Sequence, residues 1–161
     1  MVQSQESKKL EGWQPYNLDY YAQEIVLKHR DTKHVLNESH KMRMAVAYGL
    51  ERFWGEHLRL KRESINKSQY WKDVWNKLAE ILKLAEITLP NDEILSISSH
   101  QNRDAQKKQE EEQTKQIKGM AKKIWSMPFN EQKVALMVLT QFCDALVWWT
   151  QRYKRKDSKD N

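Results

Sequence analysis

Turn-forming residues are scarce in this chain of 161 residues, which contains only four glycines and three prolines. A protein built from many strands needs glycine, proline and related residues at its turns, so this scarcity excludes a many-stranded β fold. It also excludes glycine-rich phosphate loops, which need several glycines at fixed spacing. The fold class left by these absences is all-α.

Cysteine and long apolar runs are also missing. The single cysteine, Cys143, cannot form an internal disulfide, which predicts a reducing compartment. No apolar run reaches the roughly 18 residues that a membrane-spanning helix needs. Residues 1–11 are polar and lack the apolar stretch of a signal peptide. We therefore expect a cytoplasmic protein with no membrane partner.

Apolar residues are nevertheless common enough for a packed core, since they make up 39% of the chain and include seven tryptophans. Their spacing at i, i+3, i+4 and i+7 predicts helices over about 18–36, from residue 39 to about 62, from about 68 to 89, and from 117 to about 125. A short helix or turn is expected within 91–104. The prediction is a bundle of about five or six helices.

The last predicted helix is the most apolar. Between Val134 and Trp149, only Thr140, Gln141 and Asp144 interrupt the apolar residues. A helix that is apolar over most of its circumference is buried, so we expect this one to be central in the bundle. At its start, Asn130 is the expected N-cap, and Phe129 is expected to pack on Val134 as a hydrophobic staple.

Composition also suggests where the domain begins and ends. Residues 1–14 are polar and expected to be flexible, 15–155 form a single helical-bundle domain, and 156–161 form a basic tail. From 104 to 116 nearly every residue is charged or glutamine. This stretch is either the solvated beginning of a helix or part of a mobile linker over 98–116, and the sequence does not choose between them.

The net charge of +6 is unevenly distributed. Residues 28–72 and 113–161 each carry +6, whereas 1–27 carry −2 and 73–112 carry −4. Separate basic blocks are typical of a surface that binds a polyanion, because neutralising phosphates releases counterions. The alternative is that these lysines and arginines are simply the solvated faces of helices.

The candidate nucleic-acid contacts are basic residues that lie away from the predicted apolar faces. The first block supplies Lys41, Arg52, Arg59, Lys61, Arg62 and Lys67, and the second supplies Lys115, Lys118, Lys122, Lys123, Arg152, Lys154 and Arg155. No zinc-finger spacing, RNA-recognition strand motif or basic region joined to heptads is present. Binding is therefore expected at the phosphate backbone, with little dependence on sequence.

Signs of catalysis are weak. The five histidines lack zinc-ligand spacing, and Cys143 has no histidine near it in the sequence. His57 falls near an apolar face and is predicted to be packed and hydrogen-bonded. We expect no enzyme activity, no metal and no cofactor.

Two adjacent tryptophans stand near the end of the chain. Neighbouring residues on a helix point about 100° apart, so Trp148 and Trp149 are not expected to share one small core. We expect one to lie in the core and the other at a protein interface. Stacking on nucleic-acid bases is the alternative.

The segment from 130 to 154, NEQKVALMVLTQFCDALVWWTQRYK, resembles the C-terminal helix of the large subunits of type I-D CRISPR effectors. The small subunit of that type is similar to this helical region. The length, helical pattern and basic stripes also resemble CRISPR small subunits in general.

This resemblance implies a non-catalytic role in antiviral defence. Small subunits are helical bundles that line a Cascade-type complex in several copies and contact the crRNA-bound backbone subunits, the large subunit and one another. Their basic faces hold target DNA strands while the guide RNA pairs. The alternative for this chain is a helical protein–protein adaptor that binds no nucleic acid.

Overall fold

The computed structural model describes residues 17–98 and 101–156, and in these ranges the chain is helical with no β-strand. The predicted all-α bundle is therefore confirmed, with six α-helices in the described part. The segment 1–14 and residues 157–161 of the predicted basic tail lie outside the described residues, as do residues 99 and 100 of the predicted linker. The assignment of 15–155 to a single domain stays a prediction.

The helices follow one another with short connections, apart from a longer one after the fourth. They are α1 (Leu18–His29), α2 (Glu38–Ala45), α3 (Leu50–Leu60), α4 (Ile65–Leu84), α5 (Arg103–Trp125) and α6 (Phe129–Tyr153). Short 3-10 turns at Val35–Asn37 and Val46–Tyr48 precede α2 and α3.

Helix α1 is shorter than predicted. It ends at His29 rather than near residue 36, because His34 adopts a left-handed backbone conformation with φ of 66° that an α-helix cannot continue through. The chain therefore leaves the axis of α1 over residues 30–34, and this turn contributes residues to the candidate site.

The predicted helix over 39–62 is two helices. Gly49 has φ of 94° and ψ of 173°, a conformation that is essentially restricted to glycine, and it separates α2 from α3. The predicted apolar face survives this break, since Met42, Leu50 and Phe53 are all buried. Lys41, however, does not share one continuous helix with the cations of α3, as the sequence pattern had suggested.

Helix α4 begins at Ile65, directly after its N-cap residue Ser64. The side chain of Ser64 accepts a hydrogen bond from the backbone nitrogen of Lys67 at 3.3 Å. The helix ends at Leu84, before the predicted end at residue 89, and Glu86 takes a left-handed conformation with φ of 60°. Residues 91–98 contain no helix, so the short helix considered for 91–104 is not formed there.

The charged stretch 104–116 is helical, which decides between the two alternatives left by the sequence. Helix α5 begins after Asn102, whose side chain accepts a hydrogen bond from the backbone nitrogen of Ala105 at 2.8 Å. Only Met120, Ala121 and Ile124 of this helix are buried. Its first half is thus a solvated helix that contributes charge and length rather than core volume.

Helix α6 starts differently from the prediction. It begins at Phe129 directly after Pro128, so Asn130 is already inside the helix and is not its cap. Phe129 is 76% exposed and therefore is not the predicted hydrophobic staple.

The burial of α6 is also narrower than predicted. The helix packs against α1, α2, α3 and α4 through one face, on which Leu139, Phe142 and Leu146 are fully buried. Met137 and Trp148 are exposed on other sides, so burial does not extend around the circumference. A central position for this helix stays a prediction.

Helices α1 and α6 run parallel, and this sets the position of the candidate site. The indole nitrogen of Trp149 donates to Asp19 Oδ1 at 3.1 Å, and Gln23 Nε2 donates to the Tyr153 hydroxyl at 2.9 Å. The second contact lies four residues after the first on both helices, so the two helices run in the same direction. Their C-terminal ends therefore lie at the same end of the bundle.

Candidate nucleic-acid interface

The cations at the end of α3 line a groove. Arg59, Lys61 and Arg62 face residues 95–97 and one side of α5 across a space of about 580 Å³. The remaining lining is mixed, comprising Leu58, Leu95, Ser96, Ile97, Gln106, Glu110, Gln113 and Ile117. This groove brings together three of the predicted nucleic-acid contacts.

Two of the three cations of this groove already have side-chain partners. Arg59 pairs with Glu56 at 2.9 Å and with Glu63 at 3.1 Å, and the hydrogen bond and charge of Glu56 raise the pKa of Arg59. Lys61 donates to the Ser96 hydroxyl at 2.8 Å. Arg62 is exposed and makes no ion pair within the described part of the chain. The groove is therefore less positive than its three cations suggest.

The remaining cations of the first block lie outside this groove, and two of them, Lys41 and Arg52, line one depression beside α2 and α3. Lys41 lies 3.1 Å from Glu38, a buried carboxylate, and Arg52 lies over the ring of Tyr48 at 5.7 Å. Lys67 is half-buried in the first turn of α4. The structure thus divides the stripe predicted for the first block among separate surfaces.

The lysines of α5 form an open stripe. Lys115, Lys118 and Lys122 are exposed, and none of them makes an ion pair among the residues that the structure describes. The helical period places them roughly opposite the side of α5 that lines the groove. Lys123 differs, because it pairs with Asp92. This stripe and the groove are therefore different surfaces.

The densest cluster of cations lies at the shared C-terminal end of α1 and α6. We call it the C-terminal basic patch, and it surrounds a depression of about 230 Å³. Its cations are Arg30, Lys33, Lys154, Arg155 and Lys156. Within residues 17–98 and 101–156, Asp31 is the one carboxylate in the lining, and it pairs with Arg155 at 2.9 Å.

The sequence pattern identified only part of this patch. Of its five cations, Lys154 and Arg155 were predicted as contacts and Lys156 as part of the basic tail, but Arg30 and Lys33 were not predicted. No local pattern links positions 30 and 154, because they meet only through the parallel packing of α1 on α6. Cations are also favourable here for a local reason, since the C-terminal ends of helices carry partial negative charge.

Aromatic and cationic side chains form a continuous row of contacts from the end of α6 to this patch. The guanidinium of Arg152 lies 4.8 Å from the ring centre of Trp148 and 5.4 Å from that of Trp149. Trp149 stacks on Tyr153 with ring centres 5.8 Å apart, and Arg30 lies over Tyr153 at 5.6 Å. We call these five side chains the aromatic ladder.

The two adjacent tryptophans have different surroundings within the chain. Trp149 is half-buried and tied to Asp19 by its indole nitrogen, whereas Trp148 is 51% exposed. Neither side chain is fully buried, so the expectation that one of them lies in the core and the other at a protein interface stays a prediction. The assignment of Trp148 to a protein interface stays a prediction.

His57 is packed inside the bundle, as the sequence predicted. Its Nδ1 is hydrogen-bonded to the carbonyl oxygen of Trp54, and the His57 carbonyl accepts from the Ser68 hydroxyl at 2.6 Å. Burial lowers the pKa of His57 to about 4, and the nearby positive charges of Lys72 and Lys61 act in the same direction. The imidazole is therefore neutral at physiological pH.

We expect His57 to make the protein sensitive to mild acid. The unfolded chain takes up a proton near pH 6.5, whereas the folded chain resists protonation of His57 until about pH 4. The free energy of unfolding should therefore fall as pH drops through this window, by about 3 kcal/mol in total. Urea unfolding of the wild type and of His57→Asn, measured from pH 7 to pH 4, checks this expectation. The variant should lack this component of the pH dependence, and parallel curves would contradict it.

The single cysteine lies in the core. Cys143 is buried, and burial raises the pKa of its thiol, so it is a packing residue rather than a nucleophile. Among the described residues, no group of three or more His, Cys, Asp or Glu side chains is placed to hold a metal ion. In the same ranges, no helix combines the length and the apolar character needed to cross a membrane.

Comparisons with protein-family models, curated proteins and solved structures found no match to this chain. The C-terminal basic patch and the aromatic ladder are the features of the structure that bear on function.

Proposed function

We propose that this chain is a non-catalytic nucleic-acid-binding subunit that holds strands by their phosphates. The observation that supports this most is the C-terminal basic patch, in which, among the described residues, five cations surround one carboxylate. Lysine and arginine contacts to phosphate need no base-reading motif and carry little sequence preference. A surface of this kind steadies a strand without selecting it.

We further propose that it acts as the small subunit of an RNA-guided, Cascade-type CRISPR complex. The support is the resemblance of residues 130–154 to the C-terminal helix of type I-D large subunits, together with the all-helical fold. In this role it would contact target DNA strands and the crRNA-containing assembly. It would also pack on backbone and large subunits and on further copies of itself.

A second candidate is a helical protein–protein adaptor. It is favoured by a separate depression of about 490 Å³ beside α2 and α3, where Met44, Tyr48 and Trp71 lie among two cations and two carboxylates, Lys41, Arg52, Glu51 and Glu56. Met44 is 73% exposed, and Tyr48 is also exposed. Exposed apolar side chains around a depression are typical of a surface that another protein covers. Such a surface also fits a subunit that packs within a complex.

Salt dependence separates phosphate binding from the adaptor role. We expect the affinity of the wild-type protein for single-stranded DNA to fall steeply with salt, with a log–log slope of about −2 to −4, because cations that contact phosphates release counterions. Fluorescence anisotropy with a labelled oligonucleotide measures this slope. The absence of binding, both for the isolated chain and for the chain in its assembly, would reject nucleic-acid binding.

The complex itself is tested by co-purification. The tagged chain, expressed in its native host, should bring down an assembly that contains crRNA, and the RNA can be identified by sequencing. The assembled sample also serves the binding measurement, since several copies on one scaffold raise affinity through avidity. Recovery of the chain without RNA under all conditions would favour the adaptor.

A further inference from the structure

We infer that Trp148 is a stacking platform for an unpaired base of the strand whose phosphates lie on the C-terminal basic patch. This inference rests on the proposed function and adds the class of ligand, which is single-stranded rather than duplex nucleic acid. It assigns Trp148 to a base instead of the protein interface expected from the sequence.

The surroundings of Trp148 leave part of its ring available. Arg152 lies over the ring at 4.8 Å, and yet 51% of the residue is exposed. This exposed fraction is what stays open with Arg152 in place, so about half of the residue is free to contact a ligand. Every base offers a flat π-face to such a surface, so stacking on it tolerates any sequence.

The aromatic ladder holds this platform in place. Arg152 is shared between Trp148 and Trp149, and Trp149 is itself fixed by its contacts with Asp19 and Tyr153. A platform whose neighbours are already ordered loses little conformational entropy when a base stacks on it.

The platform lies next to the phosphate-binding cations. Trp148 precedes Lys154 by six residues, which is about 9 Å along a helix axis. The ladder continues from Trp149 through Tyr153 to Arg30, which belongs to the C-terminal basic patch. A strand with its phosphates on the patch would thus bring a base to Trp148 within a few nucleotides.

Charge favours a nucleic acid over a protein at this site. Lysine is depleted at protein interfaces, whereas three of the five cations in the C-terminal basic patch are lysines. A duplex fits less well than a single strand, because its base faces are already stacked on one another. An unpaired strand supplies both the phosphates and the free base faces.

The test compares three ligands of equal length: oligothymidylate, an abasic oligonucleotide with the same phosphate backbone, and a blunt duplex. We expect Trp148→Ala to weaken oligothymidylate binding by about 5- to 100-fold, as expected for the loss of one stacked base. Binding of the abasic oligonucleotide and of the duplex should be unchanged. Trp148→Phe should retain most of the affinity.

Trp125→Ala is the matched control. Trp125 is 67% exposed and ends α5, just before α6 begins. Trp148 lies 19 residues beyond the start of α6, which places the two tryptophans about 28 Å apart along the helix. The control should therefore leave all three affinities unchanged.

Each remaining outcome has a defined meaning. Equal loss of oligothymidylate and abasic binding in Trp148→Ala would overturn the inference, because the residue would then act on the backbone site. Unchanged DNA binding together with altered self-association in analytical ultracentrifugation would overturn it in favour of a protein interface. Failure of the proposed function can be distinguished from failure of this inference, because the wild type would then bind none of the three ligands.

Discussion

Reversing the charge of Lys154, Arg155 and Lys156 to glutamate is expected to lower the affinity for single-stranded DNA about 100-fold at roughly 50 mM salt. The same change should flatten the log–log salt slope by about 2, because about 0.7 counterions are released for each phosphate contact on a single strand. These residues follow α6 and are exposed, so their replacement should not disturb the core.

The matched control for this triple substitution is Lys115→Glu, Lys118→Glu and Lys122→Glu on α5. It changes the net charge by the same amount on a different surface that is equally exposed. We expect a loss of no more than about 10-fold, which reflects only the weaker long-range attraction of the whole protein. Anisotropy titrations at several salt concentrations compare the two variants. Equal losses would mean that the C-terminal basic patch has no special part in binding.

Replacing Trp75 with alanine is expected to lower the free energy of unfolding by about 3–5 kcal/mol. Trp75 is almost fully buried in α4 and stacks beside Phe53 with ring centres 6.3 Å apart. Its indole nitrogen donates to the Pro90 carbonyl at 3.0 Å and so ties the connection after α4 to the core. The substitution leaves a cavity and also an unpaired carbonyl.

Urea unfolding followed by circular dichroism measures this effect, and Trp125→Ala is again the control. An exposed tryptophan contributes little to packing, so the control should change stability by no more than about 0.5 kcal/mol. Trp75→Phe should fall between the two, because it keeps a ring but loses the hydrogen bond to Pro90. A change below about 1 kcal/mol in Trp75→Ala would contradict the assigned role of this residue in the core.

Helix faces were largely predictable, because apolar periodicity is local. The residues expected on the apolar face of 39–62, such as Met42, Phe53 and His57, are buried even though Gly49 divides that helix. Helix ends were predicted less well. His34 and Glu86 adopt left-handed conformations in the connections that follow α1 and α4. Such conformations are uncommon for residues other than glycine, so the sequence did not indicate them.

The candidate site was predictable only in part. The exposed cations of α5 and the basic residues after α6 follow directly from charge pattern and spacing. The pairing of Arg59 with Glu56 and Glu63 reduces the effective charge of the groove, and helical spacing could have indicated it. The contribution of Arg30 to the patch and to the aromatic ladder could not be seen, since it lies far from Tyr153 along the chain.

By itself, the sequence determined three properties of this protein: its helical fold class, the buried faces of its helices and the separation of its charge into blocks. These properties depend on residues within a few turns of one another, so a linear pattern records them. Only the tertiary structure decided that α1 and α6 run parallel, through the contacts of Asp19 with Trp149 and of Gln23 with Tyr153. That packing places both helix ends together, and the C-terminal basic patch exists because residues distant in sequence meet there.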